Sequence, residues 1–235
     1  MHFGEFMNRE EISIYIDNAV LMNKLVTKEE ARDILNEDFA QGILQKDTLL
    51  GHLIDSIQIG DALFKKDFDN HIILVYFRPH YKKIDLKNYV DIIGDYAFYY
   101  NDIIEEVYGS TVIKVCQCGF LLCHNLKKAV FPNVYMVGES GFNYCGNLVY
   151  VVMKPRIIGK TAFYNCRKLR KFDFSNVESI ASDGFSITAI ERVIAPKLED
   201  VGKDVFFFFF LKTVDVPKLD VSSLISKEDV ERHWV

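Results

Sequence analysis

Four residues whose side chains bind metals or attack electrophilic carbons fall within nine positions, Cys116, Cys118, Cys123 and His124. Thiolates and an imidazole grouped this closely are the material of a tetrahedral zinc site. A thiol beside a histidine base is the material of a nucleophile. The phase of the surrounding sequence argues against both. Cys123 occupies a slot that returns as Cys145 and Cys166, so its thiol is expected to point inward among apolar neighbours. Cys116 takes a place that other copies give to glycine. The expectation is packed thiols, with no metal, no cofactor and no catalysis. The chain also has no P-loop, no dinucleotide-type glycine loop and no serine nucleophile elbow.

The elements that position these cysteines are repeats. The pattern appears as Ile93-Gly94-x-x-Ala97-Phe98, Val115-Cys116-x-x-Gly119-Phe120, Val137-Gly138-x-x-Gly141-Phe142, Ile158-Gly159-x-x-Ala162-Phe163, Ile180-Ala181-x-x-Gly184-Phe185 and Val201-Gly202-x-x-Val205-Phe206. Successive phenylalanines lie 22, 22, 21, 22 and 21 residues apart. Further along each unit come Ile104, Leu126, Leu148 and Leu169, then a short alternating run such as Ala129-Val-Phe131, often closed by a proline such as Pro132, Pro155, Pro196 or Pro217. Alternation predicts a short strand with one face inward, and proline ends its ladder. The glycine that four of the six copies place four positions before the phenylalanine is expected to let the backbone turn tightly. No unit of this size buries its apolar side alone, so the units must stack, with the phenylalanines in a column. Burying each ring contributes roughly 1.5–3 kcal/mol.

The pattern I-G-x-x-A-F-x-x-C-x-x-L-x-x-V-x-F-P resembles the BspA-type leucine-rich repeats. The resemblance runs from Tyr89 to about Leu219. It implies an α+β fold, a leucine-rich-repeat solenoid of about six coils of 21–22 residues with short strands. For function it implies protein binding or adhesion. Many bacterial members of the family are exported, whereas this sequence opens without a basic start, an apolar stretch or a cleavage site of signal-peptide kind.

Before the solenoid, residues 1–58 read as a small helical cap or module. Asn8-x-x-Glu11 and Thr27-x-x-Glu30 are capping boxes, and they predict helices near 9–23 and 28–36, with a third over 42–56. Ile12, Tyr15, Ile16, Ala19 and Val20 are expected on the buried face of the first. Residues 59–88 read as a degenerate first repeat or a linking hairpin. The solenoid proper is assigned to 89–221 and a closing helix to 222–235, with Trp234 over the last coil.

The net charge of −5 offers no basic excess for nucleic acid. Residues 1–50 hold ten acids against five bases, and the remaining 23 acids and 23 bases cancel. Without an apolar run of membrane-spanning length, and with an odd count of five cysteines, the expectation is a cytoplasmic chain with reduced thiols.

Repeat register also predicts what faces outward. One column follows the repeated leucine and carries Lys127, Lys128, Tyr150, Arg170, Lys171, Arg192 and Lys212, a basic strand face suited to an acidic protein surface. A second follows the buried phenylalanine and carries Tyr99, Tyr100, Tyr144, Tyr164, Phe207, Phe208 and Phe210, an aromatic edge for partner contact or a homodimer. The functional expectation is therefore a non-enzymatic module that binds a protein partner through its solenoid faces. Alternatives are an inhibitor from a phage or mobile element that occludes a host defence enzyme, and a surface or adhesion protein.

Overall fold

The computed structural model describes residues 8–22, 24–31, 51–59, 62–207 and 211–220. Phe208, Phe210, most of the second and third expected helices and the whole expected C-terminal helix lie outside the described residues.

The chain enters through helix α1 (Arg9–Leu21). Its capping box closes as the sequence predicts, with Asn8 Oδ1 accepting from the Glu11 amide at 3.0 Å and Glu11 Oε2 accepting from the Asn8 amide at 2.7 Å. The second box closes in the same way between Thr27 and Glu30, and residues 28–31 and 51–53 are helical. Only Ile12, Ile16 and Ala19 of α1 are buried, whereas Tyr15 and Val20 are exposed. Those three are spaced i, i+4, i+7 and form the narrow stripe that one flat neighbour covers; Tyr15 and Val20 flank it. Arg9 pins the helix to the solenoid, donating to the Asn88 carbonyl at 2.9 Å and to the buried Asp91 carboxylate at 2.6 Å.

Strands β1 (Ile57–Ile59), β2 (Ala62–Lys66) and β3 (Ile72–Phe77) form an antiparallel meander, and β3 also pairs in parallel with the first short strand of the coils. Its inner face places Phe64, Ile72 and Leu74 in the solenoid core. Its outer face buries Leu63 and Val75 under Val26, Ala31 and Leu53.

From β3 onward the chain coils. Every coil but the one holding residues 171–173 contributes a three-residue strand to one side, namely β4 (Lys83–Asp85), β6 (Glu106–Tyr108), β8 (Lys128–Val130), β10 (Tyr150–Val152), β13 (Arg192–Ile194) and β15 (Thr213–Asp215). The other side receives the two-residue strands β5 (Ile92–Ile93), β7 (Lys114–Val115), β9 (Met136–Val137), β11 (Ile157–Ile158), β12 (Ser179–Ile180) and β14 (Asp200–Val201). The short strands continue the meander as a parallel sheet in the order β1-β2-β3-β5-β7-β9-β11-β12-β14. Its register aligns Ile93, Val115, Val137, Ile158, Ile180 and Val201, one repeat position throughout.

Between the sheets runs the phenylalanine column. Phe98, Phe120, Phe142, Phe163, Phe185 and Phe206 are all buried. Neighbouring rings stack with centroids 4.7, 4.9, 5.2, 5.0 and 5.7 Å apart and planes within 15° of parallel. Offset parallel stacking is a favoured aromatic geometry, and here the coil spacing imposes it. Phe77 heads the column, tilted by 59° against Phe98.

The turn that presents each ring is built differently from the sequence expectation. Left-handed backbone falls two residues before and two residues after the phenylalanine, on non-glycine residues: Tyr96, Cys118, Ser140, Thr161, Asp183 and Asp204 before it, and Tyr100, Leu122, Tyr144, Asn165 and Ile187 after it. Their amides donate to the following coil, as Tyr96 does to the Gln117 carbonyl at 3.0 Å and Tyr100 to that of Leu121 at 2.9 Å. These bonds offset the roughly 1–2 kcal/mol cost of a left-handed L-residue. The glycine four before the ring opens this turn, the Gly159 carbonyl accepting from the Ala162 amide at 3.2 Å, and what demands glycine there is close approach of the neighbouring coil. A Cβ on Gly159 would lie 2.6 Å from the Gly138 carbonyl carbon, and one on Gly202 2.2 Å from the Ser182 amide nitrogen.

Candidate partner-binding surface

The strand face is where the repeat sets outward side chains side by side. In β4, β6, β8 and β10 the central residues Ile84, Val107, Ala129 and Val151 point to the core, so the flanking residues project outward. Register brings Lys83, Glu106, Lys128 and Tyr150 into one row, and Arg192 and Thr213 pair in the separate two-stranded sheet β13-β15.

The ladder breaks at the coil between β10 and β13, where residues 171–173 form no strand. Phe172 stands where other coils place Val151 or Val193 and packs against Phe163 at 5.2 Å, Phe185 at 5.0 Å and Phe174 at 4.9 Å. Two rings enter where neighbouring coils insert one or none, and the backbone no longer keeps strand register. β10 thereby becomes a sheet edge, with Val149 and Tyr150 each 52% exposed.

The cations of this face fall into two groups. Those in the row just before the strands are paired with acids of a neighbouring coil: Glu105 binds Lys82 at 2.8 Å and Lys127 at 2.5 Å, and Glu191 binds Lys212 at 2.9 Å and Arg170 at 3.6 Å. Lys127 first and Lys82 second hold the Glu105 carboxyl down at about 2, so it is ionised at neutral pH, and each of the two acids is shared by two cations. The sequence-predicted basic patch therefore includes three residues, Lys127, Arg170 and Lys212, that are already held in ion pairs with shared acids. Lys128 behaves differently. Its ammonium sits over two tyrosine rings, 5.1 Å from the Tyr108 centroid and 5.0 Å from that of Tyr150. Such contacts contribute about 0.5–1 kcal/mol at an exposed site, and this one orders three long side chains into a fixed stack. Lys171 and Arg192 are exposed, with no ion pair among the described residues.

The aromatic edge is only partly an open surface. Tyr99 is buried and Tyr100 half-buried, because Val26, Ala31, Leu53 and Ile54 pack across Tyr96, Tyr99, Tyr100, Leu121 and Leu122 in a second apolar cluster. The N-terminal segment thus covers the first two coils of this edge, an arrangement that repeat register cannot reveal. Beyond it Tyr144 is 42% exposed, with Tyr164 at 5.8 Å, and Phe207 is 38% exposed. A third outward patch was not singled out from sequence. Tyr135 and Ile157 are exposed beside Met136 on the outer side of the long sheet. Its signal was the alternation of these residues with the inward Val134, Val137 and Ile158.

The cysteines sit in the core and turns. Cys123, Cys145 and Cys166 are buried, and their Sγ atoms donate to the carbonyls of Phe98, Phe120 and Phe142 at 3.0, 3.0 and 3.1 Å. Burial pushes the Cys145 and Cys166 thiols well up, and burial likewise pushes Cys116 and Cys118 up to about 11. His124 is exposed, its Nδ1 3.2 Å from the Tyr144 carbonyl. A thiol raised in the folded state loses its proton first in the unfolded chain, so the stability tied to it is complete below about pH 9 and declines toward pH 11. We expect all five thiols to resist iodoacetamide at pH 8 in the native protein and to react in urea; rapid native alkylation at any of them would contradict this packing. Among the described residues, one group of potential metal ligands converges, Asp67, Asp69 and His71 in the β2–β3 turn. There the Asp67 carboxylate is engaged by the amides of Asp69 and His71 at 3.0 and 2.9 Å. No helix among the described residues is long and apolar enough to cross a membrane.

Solved structures share this coil at low identity. A leucine-rich repeat protein of T. pallidum matches over 75% of this chain and 94% of its own, with 18% identity and a TM-score of 0.51. The pneumococcal vaccine antigen PcpA matches over 69% of this chain at 19% identity and a TM-score of 0.54. A leucine-rich cell surface protein of Faecalibacterium prausnitzii A2-165 matches over 68% at 20% identity and a TM-score of 0.50. This chain spans about half the length of the last two, 50% and 54% respectively. At such identities the likeness is one of fold. No match is found among curated proteins. The model of the BspA type leucine rich repeat region, in six copies, matches residues 76–157, about a third of the chain, and the same coil continues in the structure to Leu219. Residues 76–157 of this chain are a BspA-type leucine-rich repeat region.

Proposed function

We propose that this chain is a non-catalytic, cytoplasmic protein-binding module that docks a partner on its strand face around Lys128 and Tyr150. The observation that supports this most is the stack of the Lys128 ammonium between Tyr108 and Tyr150 beside exposed Val149. Rigid aromatic side chains make effective interface anchors because they bury much area while losing little rotamer freedom. The stack stands on a flat parallel sheet that the phenylalanine column holds stiff, so little ordering remains to be done on association. Five unpaired thiols suit a reducing compartment.

The test is affinity capture and crosslinking in lysate of the source cells, comparing wild type, Tyr150→Ala with Lys128→Glu, and Tyr135→Ala on the opposite sheet. We expect the double variant to lose about tenfold or more of the captured partner, as loss of a central anchor does, and Tyr135→Ala to retain it. An identical capture profile for all three would overturn the strand-face reading. Recovery of the chain on the cell exterior would replace the cytoplasmic reading with surface adhesion, the setting named for the Faecalibacterium protein.

A further inference from the structure

We infer that the segment received by the strand face is acidic, with an apolar side chain between its acids. The inference rests on the proposed docking face and adds the chemistry of its occupant. Pairing within the fold makes the choice. In the row of Lys82, Lys127, Arg170 and Lys212 the two acids Glu105 and Glu191 each hold two cations, which ties those side chains down and halves the charge they offer an incoming ligand. The adjacent row is less tied down: Glu106 stands opposite Lys128, but the Lys128 ammonium sits over tyrosine rings rather than in an ion pair, and Lys171 and Arg192 are exposed with no ion pair among the described residues.

Tyr150 stands opposite Lys128 in this row, next to Val149 on the exposed strand edge, and Lys171 belongs to the coil that follows. Lys128 and Arg192 are three coils apart, which at about 4.8 Å per coil is about 14 Å along the axis. A partner running along the solenoid axis meets a cation, an apolar platform and then two cations in succession. Carboxylates at the two ends and an aliphatic or aromatic side chain over Tyr150 satisfy all of them. A nucleic acid fits less well, since its uninterrupted phosphates would also lie along Glu105, Asp173 and Glu191, which border the row.

The experiment uses the full chain and three probes in low salt: a short glutamate-rich peptide with one central leucine, its lysine-rich counterpart, and single-stranded oligothymidylate. Binding is followed by calorimetry, and contacts by NMR shifts. The glutamate peptide should bind, weaken with added salt, and lose about tenfold in affinity in Lys171→Gln with Arg192→Gln. A charge-matched control on another face, Lys160→Gln with Lys203→Gln, should leave affinity within about twofold. Failure of the glutamate peptide to bind, equal weakening in both double variants, or tighter binding of oligothymidylate through the same residues would each overturn the inference. If cellular capture depends on Tyr150 and Lys128 while the glutamate peptide does not bind, the docking face stands and the acidic occupant falls. If the peptide binds the row while capture is unchanged in the Tyr150 and Lys128 variant, the acidic chemistry stands and the proposed function falls.

Discussion

Replacing Phe142 with alanine lowers the unfolding free energy by about 3–5 kcal/mol, the range for removing a buried ring from a packed core. The ring is fully buried and sits between Phe120 at 4.9 Å and Phe163 at 5.2 Å, nearly parallel to both. Its loss therefore opens a void shared by three coils. In a solenoid, stability is the sum of each coil and its two interfaces, so a central ring weakens two interfaces at once. Urea denaturation followed by circular dichroism measures the effect, with Phe207→Ala as the partly exposed comparison, expected to cost less than about 1.5 kcal/mol. A similarly small loss at Phe142 would mean that the column is not close-packed.

Gly159→Ala is the second large effect, and its cause is the reverse, overfilling rather than a void. The added methyl would stand 2.6 Å from the Glu139 amide nitrogen and 2.6 Å from the Gly138 carbonyl carbon. Both are backbone atoms of the preceding coil and cannot rotate away. Relief requires the coils to separate, which stretches the Gly159 amide bond to the Val137 carbonyl, now 2.7 Å. We expect a loss of about 3 kcal/mol, the upper end for overpacking, read from the same urea titration. Gly146→Ala is the control. A methyl there meets nothing closer than the Asn165 carbonyl at 3.9 Å, so the restriction it places on the unfolded chain should stabilise the protein by about 0.4–1 kcal/mol. If both substitutions behave alike, close approach of neighbouring coils is not the reason for the glycine at the repeat position.

Much of this architecture is legible in the linear sequence because each coil repeats the same inward positions. Six phenylalanines at one spacing, with Leu126, Leu148 and Leu169 at a fixed offset, leave a single arrangement in which every apolar face is covered. The capping boxes at Asn8 and Thr27 are equally legible, since a helix start is satisfied by residues within the same turn. The thiol slot follows from phase, with Cys123, Cys145 and Cys166 on adjacent coils.

The surface is less legible. Repeat register names the outward side chains but not their neighbours' charges across a coil, so Lys127, Arg170 and Lys212 read as one basic patch until Glu105 and Glu191 are seen between them. It does not foresee the interruption at residues 171–173 either, because that depends on how much ring volume Phe172 and Phe174 bring to one place.

By itself the sequence determined the coil, its number, its inward column and the cap that opens α1, since these depend on local periodicity and on covering each repeat with the next. Tertiary structure decided which cations stay outside ion pairs, that the N-terminal segment covers Tyr99 and Tyr100, and that the glycine opening each turn is required by the touching of coils rather than by left-handed backbone. Those outcomes depend on distances between residues some twenty or more positions apart, and a repeat pattern records side-chain direction without recording separation.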